Sequence, residues 1–138
     1  MIRIYSISTI RKKVKEYGKK INAPTRFLRV RSSSDAFGTP YVEIDEHGYN
    51  YVVSERGTEF KRQKTKDITK LLYWIFKDIV FQIANEYELN HRRSNEDSRR
   101  QLFAKTIELM ELLDPKFAKW EKEEIKKILE KNPYCDIQ

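Results

Sequence analysis

The spacing of apolar positions changes twice along the chain. Ile4, Ile7, Ile10, Val14 and Tyr17 recur three and four apart, which is one face of a helix. Ser8 or Thr9 is placed to cap it, and Asn22 with Pro24 to end it. The opposite face carries Arg11, Lys12, Lys15 and Lys19. The period then shortens. Phe27 to Arg31 predicts a short strand, and Ser32 to Gly38 a loop. Tyr41 to Asp45 alternates up to Glu46-His47-Gly48, a hairpin turn signal, and Tyr49 to Ser54 returns. Arg56-Gly57 marks a second turn. Thr58 to Lys64 predicts a polar edge strand, blunted against pairing by Lys61, Arg62 and Lys64.

From Thr65 the period is helical to the end. Thr65 or Asp67 caps a long helix reaching about His91. Its stripe is Ile68, Leu71, Leu72, Ile75, Phe76, Ile79, Ile83 and Tyr87, widened by Trp74, Val80, Phe81 and Ala84. A helix this apolar is expected to be covered on more than one side. Ser94 and Asp97 resemble a capping box for the next helix. Asp114-Pro115 restarts the chain as a last helix, because proline at the first helical position follows a capping residue, and Asn132-Pro133 stops it. Strands followed by a run of helices predict an α+β fold. The expected order is an N-terminal helix, an antiparallel meander of three or four strands, and three C-terminal helices packed on one face of the sheet. The whole is read as one domain over residues 1–138, with the basic helix in 1–24, the sheet in 26–64 and the helical part in 65–132.

Charge changes the picture at one end only. The first 31 residues hold ten Lys and Arg against Glu16, a local balance of +9 in a chain whose total is +7. The remainder is therefore close to neutral. The 138 residues include 39% hydrophobic side chains and 12% aromatics, enough for a core and too many for a disordered chain. No run approaches the roughly 20 apolar residues of a membrane span, and the N-terminus lacks the h-region of a secretory signal. With Cys135 as the only cysteine, no internal disulfide can form. These features predict a cytoplasmic chain with no membrane role.

Candidate chemistry is sparse. Glu88 and His91 stand as Glu-x-x-His, a spacing that di-iron bundles use in pairs with further Glu residues, whereas this sequence has one such motif. Glu43 and Asp45 share strand parity and could act as paired carboxylates, but an exposed acidic strand face explains them better. No nucleophile–base motif, phosphate-binding glycine loop or dinucleotide fingerprint occurs. The sequence predicts no enzyme, no metal and no cofactor. The basic helix, with Arg11, Lys12, Lys13, Lys15, Lys19 and Lys20, offers an alternative as a nucleic-acid-binding surface, although its aromatics fall on the apolar stripe. Glu86, Glu88, Arg92, Arg93, Asp97, Arg99 and Arg100 flank the join of the second and third helices and predict an ion-pair network there.

Taken in order, one set of segments is more specific than any piece alone. It comprises Tyr41-Val42-Glu43, Val52 to Gly57, Thr65 with Lys66-Asp67, Tyr73 to Phe76, and Glu86-Tyr87-Glu88. It continues through Asp97 with Arg99-Arg100 and Phe103 to Asn132-Pro133-Tyr134 and Asp136. The set, spanning about Tyr41 to Asp136, resembles the immunity protein 63 family of bacterial polymorphic-toxin systems. The resemblance implies an α+β antidote that binds and neutralises a cognate toxin stoichiometrically, without catalysis or cofactor. The expected toxin-binding residues are the acids of the hairpin: Glu43, Asp45, Glu46, Glu55 and Glu59. The alternative basic surface is Arg11, Lys12, Lys15 and Lys19. Arg56, Gly57, Glu86, Glu88, Arg99 and Arg100 are expected to maintain the fold, and the loop Ser32 to Gly38 to carry specificity.

Overall fold

A computed structural model describes residues 2–136. The architecture is α+β: helix α1 (Ile7–Lys20), strands β1 (Tyr41–Asp45), β2 (Gly48–Glu55) and β3 (Thr58–Thr65), then helices α2 (Ile68–Asn90), α3 (Ser98–Leu113) and α4 (Pro115–Lys131). The strands form one antiparallel sheet in the order β1-β2-β3. The chain makes two compact units, Met1–Phe76 and Lys77–Gln138, divided within α2.

In the first unit, Ser6 caps α1 by accepting from the Thr9 N–H at 3.2 Å, two residues earlier than the sequence suggests. Ile4 therefore lies outside the helix. Ile10 and Val14 are fully buried. Gly18 presses against Leu28, whose side chain lies where a Cβ would be, with Leu28 Cδ1 2.5 Å from that position. The strand expected over Phe27–Arg31 is replaced by a single 3-10 turn, Thr25–Phe27. Pro24 starts that turn, with Phe27 N–H donating to its carbonyl at 3.0 Å, and the chain curls before it can lie beside the sheet. Only Arg31 bridges to Tyr41.

The meander has two tight turns. At the first, Asp45 Oδ1 accepts from the His47 N–H at 2.8 Å. Gly48 follows at φ +123°, and a Cβ there would lie 2.6 Å from the Thr65 carbonyl oxygen. Only glycine lets β2 pass that close to the end of β3. At the second turn Arg56 and Gly57 both have positive φ, 50° and 82°, as two-residue hairpins with this handedness require. Tyr49, 1% exposed, is held by its hydroxyl accepting from the Tyr5 N–H at 2.7 Å. The register slips between Val53 and Ser54: Val53 faces Lys61 but Ser54 faces Glu59, which leaves Phe60 as an extra residue.

Asp67 caps α2, accepting from the Thr69 N–H at 2.9 Å. Leu71, Leu72, Ile75 and Phe76 are buried in the first unit, and Ile79, Val80 and Ala84 in the second. Phe81 and Tyr87, expected on the covered stripe, are exposed, so the helix is less fully covered than its composition suggests. In the second unit Asp97 is itself the cap of α3, not the inner partner of a box begun by Ser94; the Arg99 N–H donates to its Oδ1 at 3.0 Å. Asp114 ends α3 and caps α4, with Pro115 at the first helical position, and Asn132 closes α4, as the sequence predicts. Met110 and Leu113 of α3 and Phe117 and Ala118 of α4 are buried, and the two helices pack on each other.

Candidate functional site

The five hairpin acids do not form one patch. Asp45 and Glu46 lie at the turn joining β1 to β2, and Glu55 and Glu59 lie beside the turn at the other end of β2. Eight residues of strand separate the two turns by about 23 Å. Between them sits Arg62, which the sequence suggests only as an edge charge. Its Nη1 donates to Glu43 at 2.9 Å and its Nη2 to Glu59 at 2.7 Å. Strand parity alone would put Glu59 and Arg62 on opposite faces. The extra residue Phe60 reverses the parity and brings them together. Hydrogen bonds from Arg62 hold the Glu59 carboxyl below its ordinary range, and donating to Glu59 first and then to Glu43 raises the guanidinium.

Asp45 is spent on its own turn. Besides the His47 N–H, it accepts from Asn50 Nδ2 at 3.1 Å, and these two donors lower its pKa. Glu43 and Asp45 thus have separate structural partners. All five acids are exposed; Glu46 pairs with its neighbour His47 at 3.3 Å, both side chains open to solvent.

The loop before β1 rejoins the sheet at this second end. Phe37 bridges to Glu55, the Arg56 N–H donates to the Ala36 carbonyl at 3.2 Å, and the hydroxyls of Ser34 and Ser54 are 3.2 Å apart. Phe37 is 83% exposed and Phe60, at the bulge, 65%. Neither stands out in the sequence; the one signal is an aromatic set between Ala36 and Gly38 in an otherwise polar loop.

On α1, Lys12, Lys15 and Lys19 form an exposed row with Glu16 beside them. Arg11 is instead committed to the fold, donating Nε–H to the Val30 carbonyl at 3.1 Å. Lys15 and Lys19, with Asn22, Ala23, Thr25 and Leu28, border an open concavity of about 420 Å³.

The charges near the join of α2 and α3 separate into local sets. Glu88, 4% exposed and near the end of α2, accepts from Arg92, two residues past that helix, through Nε at 3.1 Å and Nη2 at 2.8 Å. His91 stacks on Tyr87 with ring centroids 4.1 Å apart. Glu88 and His91 therefore serve different partners, and among the described residues no group of three or more His, Cys, Asp or Glu could hold a metal ion. Glu86 is exposed on the same helix. Arg93 pairs with Glu96 at 3.6 Å.

The strongest cluster joins the C-terminal tail to the start of α3. Asp97 Oδ2 accepts from Arg99 Nη2 and from the Cys135 N–H, both at 2.9 Å. Arg99 also donates to the carbonyls of Asn132 and Pro133 at 2.8 Å. Asp136 receives Arg100 Nε at 3.0 Å and the Asp97 N–H at 2.8 Å. Tyr134 lies under the Arg100 guanidinium, 4.2 Å from its ring centroid. The Arg99 hydrogen bond, then the Cys135 N–H, hold the Asp97 carboxyl far below the usual range. This network fastens the tail to α3, whereas the sequence suggests a brace between α2 and α3.

The fold is that of an α+β protein whose best-built charge clusters hold backbone in place. Its family is shown by direct comparison: the family model of immunity protein 63 matches residues 45–127. The chain belongs to the immunity protein 63 family. No curated protein and no solved structure gives a match. Among the described residues no helix is long and apolar enough to cross a membrane.

Proposed function

We propose that this protein is the antidote of a bacterial toxin, acting by stoichiometric protein–protein contact rather than catalysis. The observation that carries the reading is the family match over residues 45–127, which includes both turns of β2, β3, α2, α3 and all but the last turn of α4. The pairing of the hairpin acids supports one end of the hairpin as the contact. Glu43 and Glu59 share Arg62, and Asp45 holds its turn, so reversing any of these charges damages the sheet as well as the surface. Glu46 and Glu55 remain as acids whose charge can serve a partner, and Glu55 lies beside exposed Phe37. The second end of the hairpin therefore combines apolar area with charge, the composition of a binding surface. The partner is the cognate toxin, and the setting is the cytoplasm of the cell it protects.

The test is growth rescue. The polypeptide encoded immediately beside this one is expressed with and without it. Killing that is relieved by the protein, with the two co-purifying at equal stoichiometry, supports the reading. A neighbour that kills regardless rejects it.

One observation favours a second reading: the exposed row Lys12, Lys15 and Lys19 on α1 is suited to phosphates. That reading predicts binding of RNA or DNA that weakens steeply with salt and disappears on reversing the three charges. Nucleic-acid binding that survives the triple reversal removes this surface from consideration.

A further inference from the structure

The loop that presents Phe37 is built more firmly than an exposed loop requires. Asp35 Oδ1 accepts from the Phe37 N–H at 2.8 Å, and Ser34 Oγ from the Ala36 N–H at 3.0 Å. The Thr39 side chain, then the Phe37 N–H, lower the Asp35 pKa by donating to its carboxylate. Ala36 and Gly38, on either side of Phe37, have positive φ of 67° and 85°. Glycine adopts that conformation freely, but alanine does so only where its surroundings compel it. Here the compulsion is visible, since the Ala36 carbonyl is fixed by the Arg56 N–H across the hairpin end.

The result is a phenylalanine 83% exposed on a tip that is fixed on both sides. The ring contributes little to any core, so its placement adds little stability within the chain. Across β2, Phe60 is set out by the bulge, also largely exposed. Phe37 rejoins on the β1 side of β2 and Phe60 lies on β3, so two interstrand spacings, on the order of 10 Å, separate their backbones. That separation lies within the span of one protein interface. The nearest acid is Glu55, which pairs with Phe37 across the bridge; Glu59 is already neutralised by Arg62.

We propose that Phe37 is the anchor residue of toxin recognition, entering an apolar pocket on the cognate toxin whose rim bears a basic side chain facing Glu55, with Phe60 packing at the pocket's edge. This rests on the immunity reading above and deepens it. A rigid aromatic in a fixed loop loses little entropy on binding, which is the property of residues that dominate interfaces. The cation opposite Glu55 follows from charge complementarity, and its effect falls mainly on the association rate.

The probe is the purified polypeptide encoded beside this protein, titrated with wild type, Phe37→Ala, Phe60→Ala, Glu55→Gln and, as a control, Phe81→Ala, an exposed apolar residue of α2. Phe37→Ala is expected to weaken binding by about 30-fold or more, mostly through faster dissociation. Phe60→Ala costs about tenfold by the same reasoning for a flanking contact. Phe81→Ala leaves affinity unchanged, and Glu55→Gln slows association at low salt. The thermal midpoint of the Phe37 variant matches wild type, because its ring is largely solvent-exposed. Wild-type binding with Phe37→Ala within about threefold of it overturns this inference and leaves the immunity reading standing. Absence of both complex and rescue for the wild type overturns the two together. If the chain alone self-associates and Phe37→Ala makes it monomeric, the patch binds a second copy and the proposal is wrong.

Discussion

Gly48 gives the sharpest test of how the hairpin is held. Substituting alanine has two separate costs. The backbone at φ +123° is one that side chains rarely adopt, a strain of about 1–3 kcal/mol. The new Cβ would also meet the Thr65 carbonyl oxygen at 2.6 Å and the Lys66 Cα at 3.2 Å. Those are backbone atoms, so relief requires moving the end of β3, where Thr65 pairs with Tyr49. Such overpacking adds about 1–3 kcal/mol. Gly57 supplies the control. It too has positive φ, 82°, but a Cβ there meets nothing within 4 Å. Gly57→Ala should therefore cost about 1 kcal/mol, from backbone conformation alone, against about 3–4 kcal/mol for Gly48→Ala. The chain has two tryptophans, and Trp74 lies in the first unit. In a Trp120→Phe background, its fluorescence during urea unfolding follows the environment of that unit. A loss near 3 kcal/mol lowers the thermal midpoint by about 12 °C or more in a unit of this size. Equal losses for the two glycine variants would refute the argument, since the contact with Thr65 would then have no energetic consequence.

Two further outcomes follow from the same contacts. Tyr49→Phe removes the acceptor of the Tyr5 N–H and should destabilise the first unit by about 1–2 kcal/mol, read from Trp74; no change would mean that the N–H finds another partner. Asp97 has a folded-state pKa below its unfolded value of about 3.9, so the folded state binds that proton less well. Its stabilisation is complete above the unfolded value and is lost as pH falls through the folded one. In a Trp74→Phe background, Trp120 should report acid loss of stability below about pH 4 in wild type and a shallower loss in Asp97→Asn; identical slopes would show that the tail network carries no such linkage.

The helices were legible because their periodicity is local. Asp114-Pro115 and Asn132-Pro133 acted where the sequence placed them, since capping depends on neighbouring residues alone. Errors arose where a choice between local signals was settled by distant packing. Phe27–Arg31 has strand composition, yet Pro24 and burial of Leu28 against Gly18 took the chain away from the sheet. Ser94 lost to Asp97 as the cap of α3 because Asp97 also holds Cys135 from 38 residues away. Membership in the family was readable from an ordered set of short segments, whereas the meeting of Asp97, Arg99, Arg100, Tyr134 and Asp136 was not.

The candidate surface divides in the same way. Composition and turn signals determined by themselves that the hairpin segment is rich in acids and that the basic excess sits in the first 31 residues. They also determined the α+β order. Tertiary structure alone decided which charges are available. The bulge at Phe60 reverses strand parity and gives Glu59 to Arg62, Asp45 is consumed by its own turn, and Arg11 by the Val30 carbonyl. Only the folded loop shows that Phe37 faces solvent. Burial and pairing depend on residues far apart in the chain, and a one-residue bulge, invisible to any period-2 pattern, is enough to exchange the faces of a strand.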